Sequence, residues 1–365
     1  MRAAFAKNFA ERDEVGAAVA VTIDGELVVD LWGGWTDRGR AMPWTRDSVV
    51  ACFSSTKTAM ALCALLLADR GELDVDAPVA RYWPGFQARE VTTRHCLAHT
   101  SGLARFEAPL TFADLFDWER ITGALARQQP WWPPGTAWAY HALTQGYLVG
   151  EVVRRIAGES LGTLLRRELA DPLDADFHIG LDPTHDTRIV PVIPLAEPEP
   201  EPPPPLAPPG SLQERLQQQN PSDFSVGTAL EEGWRRAEIP AGNGFGNARG
   251  LARLQSALAC GGAVGGRRYL SEAGALAALS ESWRGPSIGG GDVGFGLGFA
   301  LDLGPLRYGT GRSCFWGGAG GSMVVVDFDQ RMSFAYTPNR LGGAPFGDRR
   351  NLALTNAIYA ALNAA

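Results

Sequence analysis

The sequence predicts an α+β fold: strands at both ends of the chain, helices between them, and a mainly helical middle. Three observations carry that expectation. Residues 16–23 and 26–32 are apolar, strand-forming runs on either side of Asp24-Gly25, a strong hairpin signal. Residues 295–303, 322–327 and 332–336 read as a second set of strands near the C-terminus. Between these sets, residues 58–68, 143–157 and 160–169 have helical composition. The expected organisation is one domain formed by both termini, residues 1–75 with 245–365, and a mainly helical domain over 76–244.

Taken in order, 5–12 reads as a short amphipathic helix before the hairpin. Gly33-Gly34-Trp35 and 44–50 suggest a further strand, leading into the helix at 58–68. That helix is rich in Ala and Leu and stops at Arg70-Gly71. Residues 72–82 form a connector, and 91–98 a short helix ending at His99-Thr100-Ser101-Gly102. Helices follow at 112–128, 143–157 and 160–169. The segment 191–209 is so rich in proline that neither a helix nor a central strand can use it, so it reads as a stiff surface loop or lid, with a docking arm as the alternative. Helices at 249–259 and 350–362 flank the last strands.

Composition narrows the function classes. The chain has 365 residues, a net charge of −7 and no cluster of Lys and Arg, which argues against nucleic-acid or anionic-membrane binding. No apolar run approaches membrane-spanning length, and 1–14 lacks a signal-peptide core. Cys52, Cys63, Cys96, Cys260 and Cys314 are odd in number and scattered, so they read as free thiols of a cytoplasmic protein. His95 and His99 are four residues apart but have no third ligand or acidic partner in the motif, so backbone-bonded histidines are expected and no metal or cofactor is.

The chemistry centres on Phe53-Ser54-Ser55-Thr56-Lys57-Thr58. Ser54 is expected at a helix N-terminus, where free N–H groups favour an anion. Lys57 stands one turn along on the same face. A serine hydroxyl must lose a proton to attack, and an amine held neutral by burial can take it. Of 33 basic residues only Lys7 and Lys57 are lysines, and with 16 serines in the chain chance supplies only about 0.09 Ser-x-x-Lys matches. Arginine cannot be a base because it does not deprotonate. An N-cap serine with a surface lysine is the plainer alternative.

Two further stretches could complete an acyl-transfer site. Tyr140 follows the turn 133–138, and its phenol, acidified by a nearby lysine cation, could share the proton relay. Phe315-Trp316-Gly317-Gly318-Ala319-Gly320-Gly321-Ser322 would let a substrate lie against exposed backbone with an N–H aimed at an oxyanion. By contrast, Gly158-Glu159-Ser160-Leu161-Gly162 imitates a nucleophile elbow. A helix rather than a strand precedes it, so Ser160 reads as an N-cap.

Together 54–57, 97–103, 134–140, 244–254 and 315–322 resemble the serine β-lactamase and penicillin-binding-protein superfamily, and more closely the family VIII carboxylesterases with the class C β-lactamase fold. The resemblance implies an antiparallel sheet flanked by helices. It implies Ser54 as nucleophile, Lys57 and Tyr140 as its base pair, and the N–H groups of Ser54 and Ala319 as oxyanion donors. Substrate contacts would come from Phe53, Trp138, His141, Trp316, Gly317 and Gly318. The expected activity is that of an esterase of small, short-chain carboxylic esters. The aromatics Phe53, Trp131, Trp132, Trp138 and Trp316 suggest an apolar pocket with a short acyl preference. Two departures weaken recognition of a charged amide, while an uncharged ester loses little. Ala142 stands where class C enzymes have an amide-binding Asn, and Trp316 where they have the Lys of Lys-Thr-Gly. Rival activities are those of a β-lactamase, a D-amino-acid peptidase or an acyltransferase. A non-enzymatic binding protein fits the intact Ser54, Lys57 and Tyr140 set poorly.

Overall fold

Alternate residues of one N-terminal strand serve two different cores. In β1 (Gly16–Ile23), Ala17, Val19 and Val21 pack on one side, while Ala18 and Ala20 pack on the other. Successive side chains of a strand point to opposite faces, so a strand apolar throughout needs cover on both. The computed structural model describes all residues except 195–206, 226, 228, 229, 305, 307, 343–345 and 365.

Before β1 comes α1 (Arg2–Glu11), and after it β2 (Glu26–Gly34), joined by a turn at Asp24-Gly25 with both residues left-handed. The chain continues through β3 (Val50–Ala51), α2 (Thr56–Asp69), α3 (Thr93–Leu97), α4 (Trp118–Arg127), α5 (Thr144–Ala157) and α6 (Leu161–Leu165). It then forms β4 (Phe177–Ile179), α7 (Leu212–Gln217), α8 (Glu232–Arg236), β5 (Gly244–Gly246), α9 (Ala248–Ala259), a small hairpin β6 (Ala263–Val264) and β7 (Arg267–Arg268), and α10 (Glu272–Leu276). The last elements are β8 (Trp283–Pro286), β9 (Asp292–Phe295), β10 (Ala300–Leu303), β11 (Ser313–Gly317), β12 (Met323–Asp327), β13 (Met332–Pro338) and α11 (Arg349–Leu362).

Eight strands form one antiparallel sheet in the order β2-β1-β13-β12-β11-β10-β9-β8, so the two ends of the chain meet where β1 pairs with β13. Phe5 of α1 and Leu354 and Ile358 of α11 cover the face that carries Val19, Val325 and Phe334. The opposite face, with Ala20, Val324 and Val326, packs on α9 and through it on α2, whose residues are almost all buried. A helix apolar on every side belongs inside, and α2 runs through the centre of the molecule.

Several expectations need correction. The strand expected over 44–50 is limited to Val50 and Ala51; Pro43 only bridges to Trp35, and 45–48 is a turn. The helix expected over 112–128 is broken at Asp117, whose carboxylate caps the N–H of Arg120 and starts α4 afresh after a 3-10 turn at Phe112–Phe116. The helix over 160–169 is α6 followed by a wide turn at Arg166–Ala170. The middle of the chain is also not helical throughout: β5 pairs with β3 on one side and β4 on the other in a second, three-stranded sheet. Strands of two or three residues show no periodicity, and Gly244-Phe245-Gly246 reads as a turn. A Cβ on Gly244 would lie 2.3 Å from the Phe177 ring and 2.5 Å from Thr56 Oγ1, so glycine permits the close pairing. In the segment 191–209, Ile193 bridges the chain at Asn339 and Leu341; residues 195–206 of it lie outside the described residues.

Candidate active site

The small sheet delivers Ser54. Cys52 N–H donates to the Gly244 carbonyl at 2.8 Å, and the next residue, Phe53, turns sharply with a left-handed φ of 45°. Such backbone is rare for an apolar residue and gathers at functional sites. It opens a 3-10 turn, Phe53–Ser55, that runs directly into α2. Gly244 N–H donates to Thr56 Oγ1 at 2.8 Å, and that hydroxyl donates to the Phe53 carbonyl, so the turn is fixed from both sides.

Ser54 Oγ has two polar side-chain neighbours. Tyr140 Oη donates to it at 2.6 Å, and Lys57 Nζ lies 3.4 Å away. Lys57 is fully buried on α2, and its amine donates to the carbonyls of Ala142, at 2.8 Å, and Ala241, at 2.7 Å. A neutral amine has two hydrogens; with both engaged, its lone pair is left for the serine. Burial, and secondarily the positive charge of Arg105, hold Lys57 well below the ordinary lysine range.

Tyr140 reverses one expectation. Its phenol is not acidified by a lysine cation; burial pushes it up to about 12, against the smaller opposing effect of its bond to Ser54. The resting site therefore pairs an amine pushed toward its neutral form with a phenol pushed toward keeping its proton. His99, fully buried and left-handed at φ 62°, sets its ring edge-on to Tyr140 with centroids 5.0 Å apart and accepts from His141 N–H at 3.2 Å. Burial keeps it well below the ordinary histidine range. His95 lies on α3 and accepts from Thr92 N–H at 3.2 Å. The two histidines thus have the backbone-bonded roles expected of them.

The second half of the site is the turn between β11 and β12. Ala319 begins a 3-10 turn, Ala319–Gly321, as Ser54 belongs to the start of another, and leading N–H groups of such turns have no partner within the turn. Gly318 brings the two together. A Cβ there would lie 2.5 Å from the Cys52 carbonyl and 3.0 Å from Ser54 N. Ser322 bonds the Ser55 hydroxyl at 2.9 Å and donates to the Cys52 carbonyl at 3.0 Å. From behind, the buried Arg350 and Asn351 donate to the Gly320 and Gly321 carbonyls, at 2.8 and 3.1 Å. Arg350 is held by Glu14 at 3.0 Å and Asp348 at 2.8 Å.

Ser54 and Ala319 line two lobes of a cleft. The smaller, about 300 Å³, is walled by Phe53, Arg105, Phe106, Leu216 and Phe224, among others. The larger, about 740 Å³, is walled by Trp138, Tyr140, Trp316, Gly317 and Phe346, with the loop at 290–293. The Trp316 ring lies tilted against those of Tyr140, with centroids 5.5 Å apart, and Phe346, at 4.7 Å. Phe53, Trp138, Trp316 and Gly317 thus stand where a substrate would touch them. Gly318 instead packs against the Ser54 amide. His141 requires correction: it is fully buried, with its ring nitrogens bonded to Ser101 Oγ at 2.8 Å and the Ala139 carbonyl at 2.6 Å, so it stands behind Tyr140 rather than in the cleft. Ser160 caps α6, accepting from Thr163 N–H, and donates to Glu238, as expected of a residue outside any catalytic elbow.

Sequence reasoning missed Arg105, the two carbonyls that hold Lys57, and Ser322. Every residue has a carbonyl, so Ala142 and Ala241 carried no signal. Ser322 was read only as the end of a glycine-rich run.

The geometry agrees with the comparisons. The β-lactamase family description matches residues 1–358. The chain belongs to the β-lactamase family. It is 35% identical over 351 residues to the "Esterase/beta-lactamase LipL" of Mycobacterium tuberculosis, covering 93% of this chain and 80% of that one. A crystal structure of a family VIII carboxylesterase superposes with a TM-score of 0.89 at 36% identity, covering 98% of this chain and 96% of that one. A penicillin-binding protein homologue from Caulobacter crescentus gives 0.87 at 37% identity, with the same coverage. The β-lactamase-like fold and its antiparallel sheet are therefore as the sequence resemblance implied.

Proposed function

We propose that this β-lactamase-family chain is a serine carboxylesterase that hydrolyses small esters through an acyl-enzyme on Ser54. The observation that carries the reading is the position of Ser54 Oγ between the amine of Lys57, which burial holds well below the ordinary lysine range, and the phenol of Tyr140. The names of its relatives support the same class. Trp316 in place of a lysine, and the predominantly apolar walls of both lobes, favour neutral ester alcohols over β-lactam carboxylates.

In the first step Ser54 Oγ attacks the ester carbonyl and its proton passes to Lys57. The N–H groups of Ser54 and Ala319 receive the oxyanion. Tyr140 then gives its proton to the departing alkoxide; because Tyr140 lines the larger lobe, the alcohol leaves there. Lys57 is now a cation beside a tyrosinate, with Nζ 4.8 Å from the ring centre in the resting geometry. The acidifying lysine charge expected from the sequence operates at this stage, after Lys57 has become charged. Water gives a proton to Tyr140 and attacks the acyl carbon. As the acid departs, Ser54 recovers its proton from Lys57, and every group returns to its starting state.

The same proposal includes the division into a two-termini domain, 1–75 with 245–365, and a domain over 76–244, with the cleft between α2 and the β11–β12 turn. It also includes a reducing, cytoplasmic setting, which the five free and buried cysteines support. No described helix is long and apolar enough to cross a membrane. Steady-state hydrolysis of p-nitrophenyl butyrate and of nitrocefin by the purified protein tests the class. Rapid ester turnover with little nitrocefin turnover is expected; the opposite preference would move the assignment to a β-lactamase.

A further inference from the structure

The smaller lobe contains a cation, Arg105, that has no acidic partner among the described residues. Arg105 is partly buried in the wall of the space that holds Ser54, and no described Asp or Glu forms an ion pair with it. Its Nη1 donates to the carbonyls of Ala104, at 3.0 Å, and Tyr140, at 2.9 Å. Those two bonds use both hydrogens of Nη1 and fix the guanidinium plane. The Nε–H and Nη2 edge has no partner among the described residues. That edge is one of the two forks with which arginine grips a carboxylate through parallel hydrogen bonds. Glu107, two residues on, does not neutralise it; Glu107 accepts instead from Arg215 and Trp131, each at 2.7 Å.

A desolvated cation with no counter-charge among the described residues is costly to maintain, and here it also helps to hold Lys57 below the ordinary lysine range. An anionic ligand removes the cost. The larger lobe is assigned to the alcohol because Tyr140, the proton donor to the alkoxide, lines it. The acyl group then occupies the smaller lobe, about 300 Å³, enough for a short chain.

We propose that Arg105 is a specificity residue, and that the esters this enzyme prefers have a short acyl chain ending in a carboxylate, as in a monoester of a four- or five-carbon dicarboxylic acid. This rests on the esterase reading of the same site. It differs from the β-lactam carboxylate discussed above, which would lie on the Trp316 side of the cleft.

The test compares p-nitrophenyl hydrogen glutarate with p-nitrophenyl butyrate, for the unaltered enzyme, Arg105→Gln and Arg105→Lys. The expected result is that the ratio of kcat/KM for the charged over the neutral ester falls at least about tenfold in Arg105→Gln, mostly through KM, and is partly restored in Arg105→Lys. A role limited to supporting Tyr140 or Lys57 would lower both esters together and leave the ratio unchanged, which overturns the proposal. A second measurement needs no variant: glutarate should inhibit p-nitrophenyl butyrate hydrolysis more strongly than butyrate does, and lose that advantage as salt is raised. Equal inhibition by the two acids also overturns it. Turnover of the neutral ester with no preference for the charged one rejects the role of Arg105 alone; no turnover of either ester rejects the esterase reading and this inference with it.

Discussion

The hydroxyl of Ser322 sits 2.9 Å from that of Ser55 and donates to the Cys52 carbonyl at 3.0 Å, so one side chain ties the turn of Ser54, the proposed nucleophile, to the turn of Ala319, the proposed second oxyanion donor. The two turns come from opposite ends of the sequence, and the alignment of their N–H groups depends on this clamp and on the absence of a Cβ at Gly318. Replacing Ser322 by Ala should cost about 0.5–1.5 kcal/mol of stability, because the Cys52 carbonyl loses this donor and keeps only the Ser55 N–H at 3.1 Å. Gly318→Ala should lower kcat about 10²-fold in addition to stability, since its Cβ would lie 2.5 Å from both the Cys52 carbonyl and the Ser322 hydroxyl and 3.0 Å from the Ser54 amide. Thermal unfolding and kcat measured on both variants check this division.

The pH profile should be one-sided. Protonated Lys57 cannot accept the serine proton, so kcat/KM falls as pH drops through the lowered lysine pKa. It stays high above that point until Tyr140 loses its proton near about 12. In Lys57→Arg the side chain stays charged at every accessible pH. Activity should then fall by about 10²–10⁴ with no recovery on raising the pH. A recovering profile would mean that Lys57 is not the base.

Tyr140→Phe should discriminate between leaving groups. The phenol, raised to about 12, suits protonation of an alkoxide; a nitrophenolate departs without it. Because kcat/KM reports only steps through release of the alcohol, its loss should be steeper for ethyl butyrate than for p-nitrophenyl butyrate. Equal losses would assign Tyr140 a merely structural part.

Much of this site was legible because covalent spacing alone creates it. Ser54 and Lys57 are one helical turn apart, and only two lysines interrupt a chain that otherwise uses arginine. Tyr140 was legible from its turn and from the resemblance. The hairpin at Asp24-Gly25 and the α2 and α5 helices were legible because their patterns are long. What escaped depends on tertiary contact. The backbone carbonyls of Ala142 and Ala241 look like any others, and Arg105 is one arginine among 31. The strands β4 and β5 are shorter than a period can register. The break at Asp117 did have a signal: an Asp three residues before Arg120 at the start of an amphipathic run is an N-cap pattern.

The C-terminal helix should matter for stability as well as for catalysis. Arg350 is almost wholly buried, paired with Glu14 and Asp348, and donates to the Gly320 carbonyl behind the Ala319–Gly321 turn. Arg350→Met leaves Glu14 buried with its carboxyl already raised by desolvation and its main cation gone. The expected cost is about 3–5 kcal/mol, read as a fall in the denaturant midpoint. Unchanged stability would show that Glu14 simply takes up a proton.

The central claim is a covalent intermediate on Ser54. Mass spectrometry of the protein quenched shortly after mixing with p-nitrophenyl butyrate should show a butyryl adduct, mapped to the peptide carrying Ser54 and missing in Ser54→Ala, which should also lack turnover. An adduct on another residue, or ester turnover retained in Ser54→Ala, would contradict the account.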